Sequence, residues 1–266
     1  MNLRSFRRAA AAAVACAALA TSCSSGGSTE SSGTTTERAT GSAVEGEVTV
    51  LAASSLTEVF SDIAAAFEAE HPGAHVRLSF EASPTLVAQV QEGAPADVVA
   101  TADDLTMGKL TGSGDVDAPR TFARNKLAIA VARGNPEEIE GLDDLSRDGL
   151  VVVLCDSSVP CGRLADEALQ KAGASVHPAS REQNVKATLT KVAAGEADAA
   201  IVYATDTAAA GDVTGVEIPD AENVTTRLPI ATVRQAANRD AARAFADFVL
   251  SDAGRRILTG AGFLEP

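Results

Sequence analysis

Tryptophan is absent, tyrosine occurs once, and aromatic residues make up only 3% of the 266 positions. A core folded from this chain therefore rests on Ala, Val, Leu and Ile, which the 45% hydrophobic fraction supplies in quantity. With 22% charged residues the composition is that of a globular protein, and wholesale disorder is excluded. No apolar run reaches the roughly 18 residues of a membrane-spanning helix. Basic residues are scarce as well, 22 Lys and Arg against 36 Asp and Glu, and a formal charge of -14 repels nucleic-acid phosphates. Hydrolytic and nucleotide-binding signatures are missing: there is no Gly-x-Ser-x-Gly elbow and no phosphate-cradling glycine loop. His71 and His75 flank the Pro72-Gly73 turn and His177 adjoins Pro178, places that expose an imidazole rather than build a catalytic constellation.

The amino terminus has the pattern of export. Arg4, Arg7 and Arg8 precede a short, weakly apolar stretch from Ala9 to Ala20, the charged start and hydrophobic middle of a secretory signal. Leu19-Ala20-Thr21-Ser22-Cys23 then resembles a bacterial lipoprotein cleavage box, which makes Cys23 the expected lipid attachment point and residues 1–22 the signal. An ordinary signal peptide followed by an incidental cysteine is the alternative. Residues 23–46 are rich in Ser, Thr and Gly, bury too little apolar surface to fold, and read as a flexible tether. Loss of residues 1–22 leaves 19 basic against 36 acidic side chains, a charge of -17. An anionic ligand of such a protein has to be met by local donors.

Only four cysteines are present, and two of them, Cys16 and Cys23, fall in the export segment. Outside the cytoplasm the remaining pair, Cys155 and Cys161, is expected to form a disulfide. Closing so short a loop contributes about 2 kcal/mol on the chain-entropy estimate. Zinc is disfavoured because no second pair of ligands is spaced to complete a tetrahedral site.

From Val48 onward, short β-branched runs alternate with helical patterns. Val48 to Leu51 precedes Leu56, Val59, Phe60, Ile63 and Phe67 at helical spacing; Val76 to Phe80 precedes Leu86, Val87 and Val90; Val98 to Ala100 precedes a helix near Leu105. The alternation predicts a parallel sheet covered by helices, an α/β fold. A second series runs from Leu127–Val131 through Leu150–Leu154, helices near 162–171 and 185–194, and Ala199–Tyr203. Two closing helical patterns, Ala241–Leu250 and Ala253–Leu258, are expected to return to the first lobe. Extended crossings near Asn125–Val131 and Leu228–Val233 would form a hinge with a cleft between lobes. On residues alone, a single continuous α/β domain accounts for the pattern equally well.

Several helix starts follow strands, where unpaired backbone N–H groups and the dipole favour an anion. Ser55-Leu56-Thr57-Glu58 fits a capping box, and Ser83-Pro84 fits a cap followed by proline at the first helical position, so either serine could be purely structural. Pro160-Cys161-Gly162 and Asn184-Val185 open two further helices, with Val185 offering only its backbone. Tyr203 ends a strand, at the edge where ligands of α/β sheets collect. Cys161 as a catalytic thiol requires that it not be bridged to Cys155. The acidic run Glu137, Glu138, Glu140, Asp143, Asp144 reads as solvated surface.

Ala52-Ala53-Ser54-Ser55-Leu56-Thr57 and Gly93-Ala94-Pro95-Ala96-Asp97-Val98, with Val159 to Gly162, Asn184 to Ala187 and Ala200 to Tyr203, resemble the molybdate-binding proteins of ABC importers. The similarity spans residues 47–264. It implies a two-lobed periplasmic-binding-protein fold, with residues 47–125 and 230–266 in lobe 1 and 126–229 in lobe 2. It also implies an extracytoplasmic monomer, not an enzyme, held to the membrane by lipid on Cys23. Such a protein captures molybdate or tungstate as ligand, needs no cofactor or resident metal, and delivers the oxyanion to a transporter permease. The family's anion-contacting positions fall on Ser55, Ser83, Cys161, Val185 and Tyr203. Cys161 stands where the family usually has Ala, leaving a backbone contact. The competing reading is a receptor for another oxyanion or a small carboxylated solute, for which Arg124, Arg163 or Arg181 would have to point into the pocket.

Overall fold

The computed structural model describes residues 44–266, so the export signal, Cys23 and nearly all of the tether lie outside the described residues. Nine strands and eight helices follow in order within them: β1 (Glu45–Ala53), α1 (Thr57–Glu70), β2 (Gly73–Glu81), α2 (Ser83–Gln91), β3 (Val98–Ala100), α3 (Asp104–Ser113), β4 (Arg120–Ala132), β5 (Val152–Cys155) and α4 (Pro160–Ala172). The chain continues with β6 (Ser180–Glu182), α5 (Val185–Ala193), β7 (Ala199–Tyr203), α6 (Ala204–Ala209), β8 (Val213–Glu217), β9 (Thr225–Thr232), α7 (Arg239–Leu250) and α8 (Asp252–Gly260). Short 3-10 turns lie at Ser54–Leu56 and Asp143–Ser146.

The strands run in the order β2-β1-β3-β9-β4-β7-β5-β6, with β8 also on β4. Inner strands read as unbroken apolar runs because both faces are covered: Val98–Ala100 and Ala199–Tyr203 are buried at every position. Strand β2, at an end of that order, alternates exposed His75, Arg77, Ser79 and Glu81 with more buried Ala74, Val76, Leu78 and Phe80, the period of two that one covered face imposes.

The parallel sheet expected from the first three strand-helix units is present in β1, β2 and β3, but the sheet as a whole is mixed. Strand β1 pairs in parallel with β2 and β3, and β5 with β6 and β7, but β3–β9, β4–β9, β4–β7 and β4–β8 are antiparallel. The reason is the pair of long crossings. The first part of β4 (Arg120 to Lys126) pairs with β9, and its second part (Leu127 to Ala132) with β7 and β8, so one strand serves two pairing groups. Asn223 pins this crossing. Its Nδ2 donates to the carbonyls of Leu127 and Ile218, and its Oδ1 accepts from the amides of Leu127 and Val224.

Helices α7 and α8 do return, α7 onto β1 and β9 and α8 onto α1. Five of the eight phenylalanines hold that layer: Phe60 meets Phe122 and Phe245 edge-on at 5.6 and 6.3 Å, and Phe67 meets Phe245 and Phe248 at 5.3 and 5.6 Å. Scarce aromatic surface is thus spent in one cluster, where each pair adds about 0.5–1.5 kcal/mol to area burial.

Candidate functional site

Neither serine caps a helix. The capping-box expectation places Ser55 at the N-cap of α1, but the chain first makes the 3-10 turn Ser54–Leu56, Leu56 becomes the flanking residue, and Ser55 Oγ is buried with no hydrogen-bond partner among the described residues. Ser83 is the first residue of α2, with Ala82 as its cap, and its Oγ accepts from the Ala102 amide at 3.1 Å. That contact leaves the Ser83 O–H proton uncommitted. Asn184 does cap α5, accepting from the Ala187 amide at 2.9 Å. Helix α4 opens with Pro160, as the Pro160-Cys161-Gly162 segment leads one to expect, because proline suits a first helical position where no N–H is needed.

Ser55, Ser83, Cys161, Val185 and Tyr203 all line one small cavity, shared with Ser54, Pro160 and Asn184. The space within it open to the centre of a water-sized sphere is about 20 Å³, room for one compact group rather than an extended molecule. Three first turns reach it, those of α2, α4 and α5. The amides of Cys161, Val185 and Lys186 lie in such turns, where the helix itself offers them no carbonyl. Two hydroxyls, Ser55 Oγ and Tyr203 Oη, are buried in its wall and unpaired. Burial, with Asp103 and Asp206 adding, holds the Tyr203 phenol well above its ordinary pKa, so it is a donor at any physiological pH.

Among the described residues no Lys or Arg lines the cavity, and the wall they form is neutral. The three arginines that a carboxylate receptor would use are engaged elsewhere. Arg124 Nε donates to the Glu265 carbonyl at 2.7 Å, Arg181 donates to the Cys155 carbonyl and pairs with Asp166, and Arg163 pairs with Asp103 and donates to Thr106 Oγ1 at 3.1 Å.

The disulfide expected from the sequence is present, joining the end of β5 to the first turn of α4. It occupies the Cys161 sulfur and removes the thiol that a nucleophilic role requires, so Cys161 can offer the cavity only its backbone. Reduction should destabilise the protein by about 2 kcal/mol and weaken ligand affinity severalfold as the Pro160 to Gly162 turn loosens. Melting and titration with and without reductant check both effects; unchanged affinity would make the bridge structural only.

Sequence reasoning missed the charged groups just behind this wall. Lys186 Nζ lies 2.8 Å from Glu58 and 3.2 Å from Asp206, whose Oδ2 accepts from the Tyr203 amide at 3.3 Å. Burial pushes Asp206 up to about 6 against the pull of Lys186, and the carboxylate is mostly ionised at neutral pH. Burial opposes the charge on Lys186, but Asp206 and Glu58 together hold its ammonium above its ordinary pKa. The Gly93 to Val98 motif lies away from the cavity and is a structural clamp: the Asp97 carboxylate accepts from the amides of Thr49 at 2.8 Å and Asn238 at 3.2 Å.

The sequence profile of the bacterial extracellular solute-binding proteins matches residues 48–264. The molybdate-binding protein ModA of Mycobacterium tuberculosis (strain ATCC 25618 / H37Rv) is 39% identical over 221 residues, 82% of this chain and 85% of that protein. Its namesake in Escherichia coli (strain K12) is 32% identical over 233 residues, 83% and 90% of the two chains. Among solved structures, the periplasmic molybdate-binding protein of Azotobacter vinelandii superposes with a TM-score of 0.71 at 21% identity, covering 82% of this chain and 99% of that one. That last likeness is one of fold, the two-lobed fold of periplasmic binding proteins.

Proposed function

The chain belongs to the bacterial extracellular solute-binding protein family, and from that membership we propose that it captures molybdate or tungstate outside the cytoplasm and hands it to an ABC transporter permease. The observation that carries the reading is the pair of orphaned hydroxyls, Ser55 Oγ and Tyr203 Oη, buried in the wall of one cavity. A buried hydroxyl without a partner costs about 1–3 kcal/mol, and a tetrahedral oxyanion between them supplies the acceptors that both lack. Ser83 and the first-turn amides of α4 and α5 complete the donor shell on this reading.

Neutral donors suit the task physically. They replace the hydration of a dianion without burying a cation against each oxygen, and helix starts contribute partial positive charge without net charge. In a chain of formal charge -14, such local donors are the remaining source of attraction. Cavity size then selects among tetrahedral anions, because a rigid shell fits one radius best. The engaged arginines weigh against a carboxylated solute, which needs a guanidinium in the pocket. Calorimetric titration should give strong binding of molybdate and tungstate and weak binding of sulfate and phosphate. Equal, weak heats for all four would remove the reading.

The division of the chain follows the same reading: residues 47–125 and 230–266 form one lobe, 126–229 the other, and β4 with β9 is the hinge between them. Binding and transport, rather than catalysis, is the family's role. The finer proposals are that the protein works as a monomer and is tethered to the cell membrane by lipid on Cys23. Cys23→Ser should then move it from the membrane fraction to the soluble one; retention in the membrane would exclude that anchor.

A further inference from the structure

Each of three turns that bear a proposed anion donor carries one charged residue close behind it. Glu58 follows Ser55 by three positions, Lys186 follows Val185 by one, and Asp206 follows Tyr203 by three. The structure brings these three together on a single ammonium. Lys186 Nζ donates to the two oxygens of Glu58 at 2.9 and 2.8 Å and lies 3.2 Å from Asp206 Oδ1, an ion pair without hydrogen-bond geometry. Asp206 has a fully buried side chain, the Lys186 side chain is 27% exposed, and that of Glu58 is 54% exposed. The contact therefore runs from the interior to the surface across the line where residues 47–125 meet residues 126–229.

From this juxtaposition we infer that Lys186 is a positioning residue, a latch that fastens the Ser55 turn of one lobe to the Val185 and Tyr203 turns of the other and so slows escape of the captured anion. The inference rests on the proposed oxyanion site. Lys186 does not line the cavity and adds no direct contact to the ligand. Its effect is to keep the donors of α5 and β7 facing those of the Ser55 turn. Arg163 of α4, paired with Asp103 at the start of α3, crosses the same line beside Ser83 and Cys161. The anion thus sits inside a neutral shell whose rim is tied by two cations, each already compensated by carboxylates.

A latch and a simple field effect differ in sign. Glu58 is an anion near the binding site of an anion, so its charge by itself slows association and weakens binding; removing it should speed capture. If Glu58 matters as a latch partner, removing it should instead speed release. The variant Glu58→Gln separates the two without threatening the fold, because Glu58 is half exposed and the buried Lys186–Asp206 contact stays intact.

The only tyrosine of a chain without tryptophan lines the cavity, so its own fluorescence can report binding in stopped-flow mixing with molybdate. Glu58→Gln should raise the release rate about twofold to fivefold, the range of an exposed ion pair, and leave the association rate within about twofold. The difference from wild type should shrink at about 1 M salt, where charges are screened within about 3 Å. Lys186→Met should release faster still, and Lys186→Arg should restore most of the wild-type rate. A Glu58→Gln protein that releases at the wild-type rate, or that associates faster and binds tighter, overturns the latch while leaving the oxyanion site standing. Failure of the wild-type protein to bind molybdate at all would instead overturn the site.

Discussion

Replacing Ser55 by Ala and Tyr203 by Phe should weaken molybdate binding by about 1.5–3 kcal/mol each, the net worth of a hydrogen bond to a charged group. The double variant should lose on the order of a hundredfold to ten-thousandfold in affinity, at about 1.4 kcal/mol per tenfold. Both oxygens are buried without a partner among the described residues, and the phenol stays protonated, so each has a proton to give and no acceptor there to take it. The same fact fixes the sign of a second measurement. Since both substitutions delete an unmet polar group and keep the side chain's shape, the ligand-free protein should melt no lower, and up to several degrees higher. Loss of affinity without loss of stability is the signature to look for in titration and thermal unfolding. If either single variant binds like the wild type, that hydroxyl is not a ligand. A fall in the ligand-free melting temperature would mean that the hydroxyls have partners within the fold.

Gly162→Ala should be damaging in both respects. A Cβ at Gly162 would sit 2.0 Å from the Asp156 carbonyl oxygen, 2.5 Å from its carbon and 2.8 Å from the Cys155 carbonyl oxygen. These are backbone atoms, so no side chain can rotate aside, and the start of α4 has to move by about an ångström to restore normal contact. The disulfide ties Cys161 to Cys155 and resists that movement. An amide carried an ångström away from its acceptor no longer makes a hydrogen bond of ordinary length. We expect a destabilisation of about 1–3 kcal/mol and an affinity loss of roughly tenfold or more, as the donors of the α4 turn fall out of register. Gly108→Ala is the matched control. Gly108 is an exposed residue within α3 with nothing inside 4 Å of a Cβ, so alanine there should stabilise by about 1 kcal/mol and leave affinity alone. Equal behaviour of the two variants would mean that the tight packing at Gly162 does not govern the cavity.

Much of the architecture is legible in the residue order because it depends on local periodicity. The apolar runs at Val98–Ala100 and Ala199–Tyr203 and the helical spacing of Val59, Phe60, Ile63 and Phe67 announce their elements whatever the topology. Three short elements carry no such signal. Strands β6 (Ser180–Glu182) and β8 (Val213–Glu217) and helix α6 (Ala204–Ala209) are three to six residues long and carry little apolar pattern. Neighbours, rather than propensity, hold them: β6 lies on β5 and β8 on β4. The direction of the crossing strands was hidden for a related reason, since a strand reads the same in a parallel or an antiparallel pair.

The chain alone determined the turns from which the cavity is built, because small polar residues, proline and asparagine at helix starts are written in contiguous sequence, as is the Cys155–Cys161 spacing. It left undecided whether Ser55 and Ser83 are caps or binding groups, since the same side chain at the same position serves either purpose. The tertiary structure decided only that neither is a cap, with Leu56 and Ala82 in those places and the Ser55 hydroxyl in a buried wall that it shares with Tyr203. Tertiary structure likewise paired Lys186 with Glu58, 128 positions apart, and Arg163 with Asp103, 60 apart. Electrostatic attraction of that kind depends on distance in space, and residue order carries no direct measure of it.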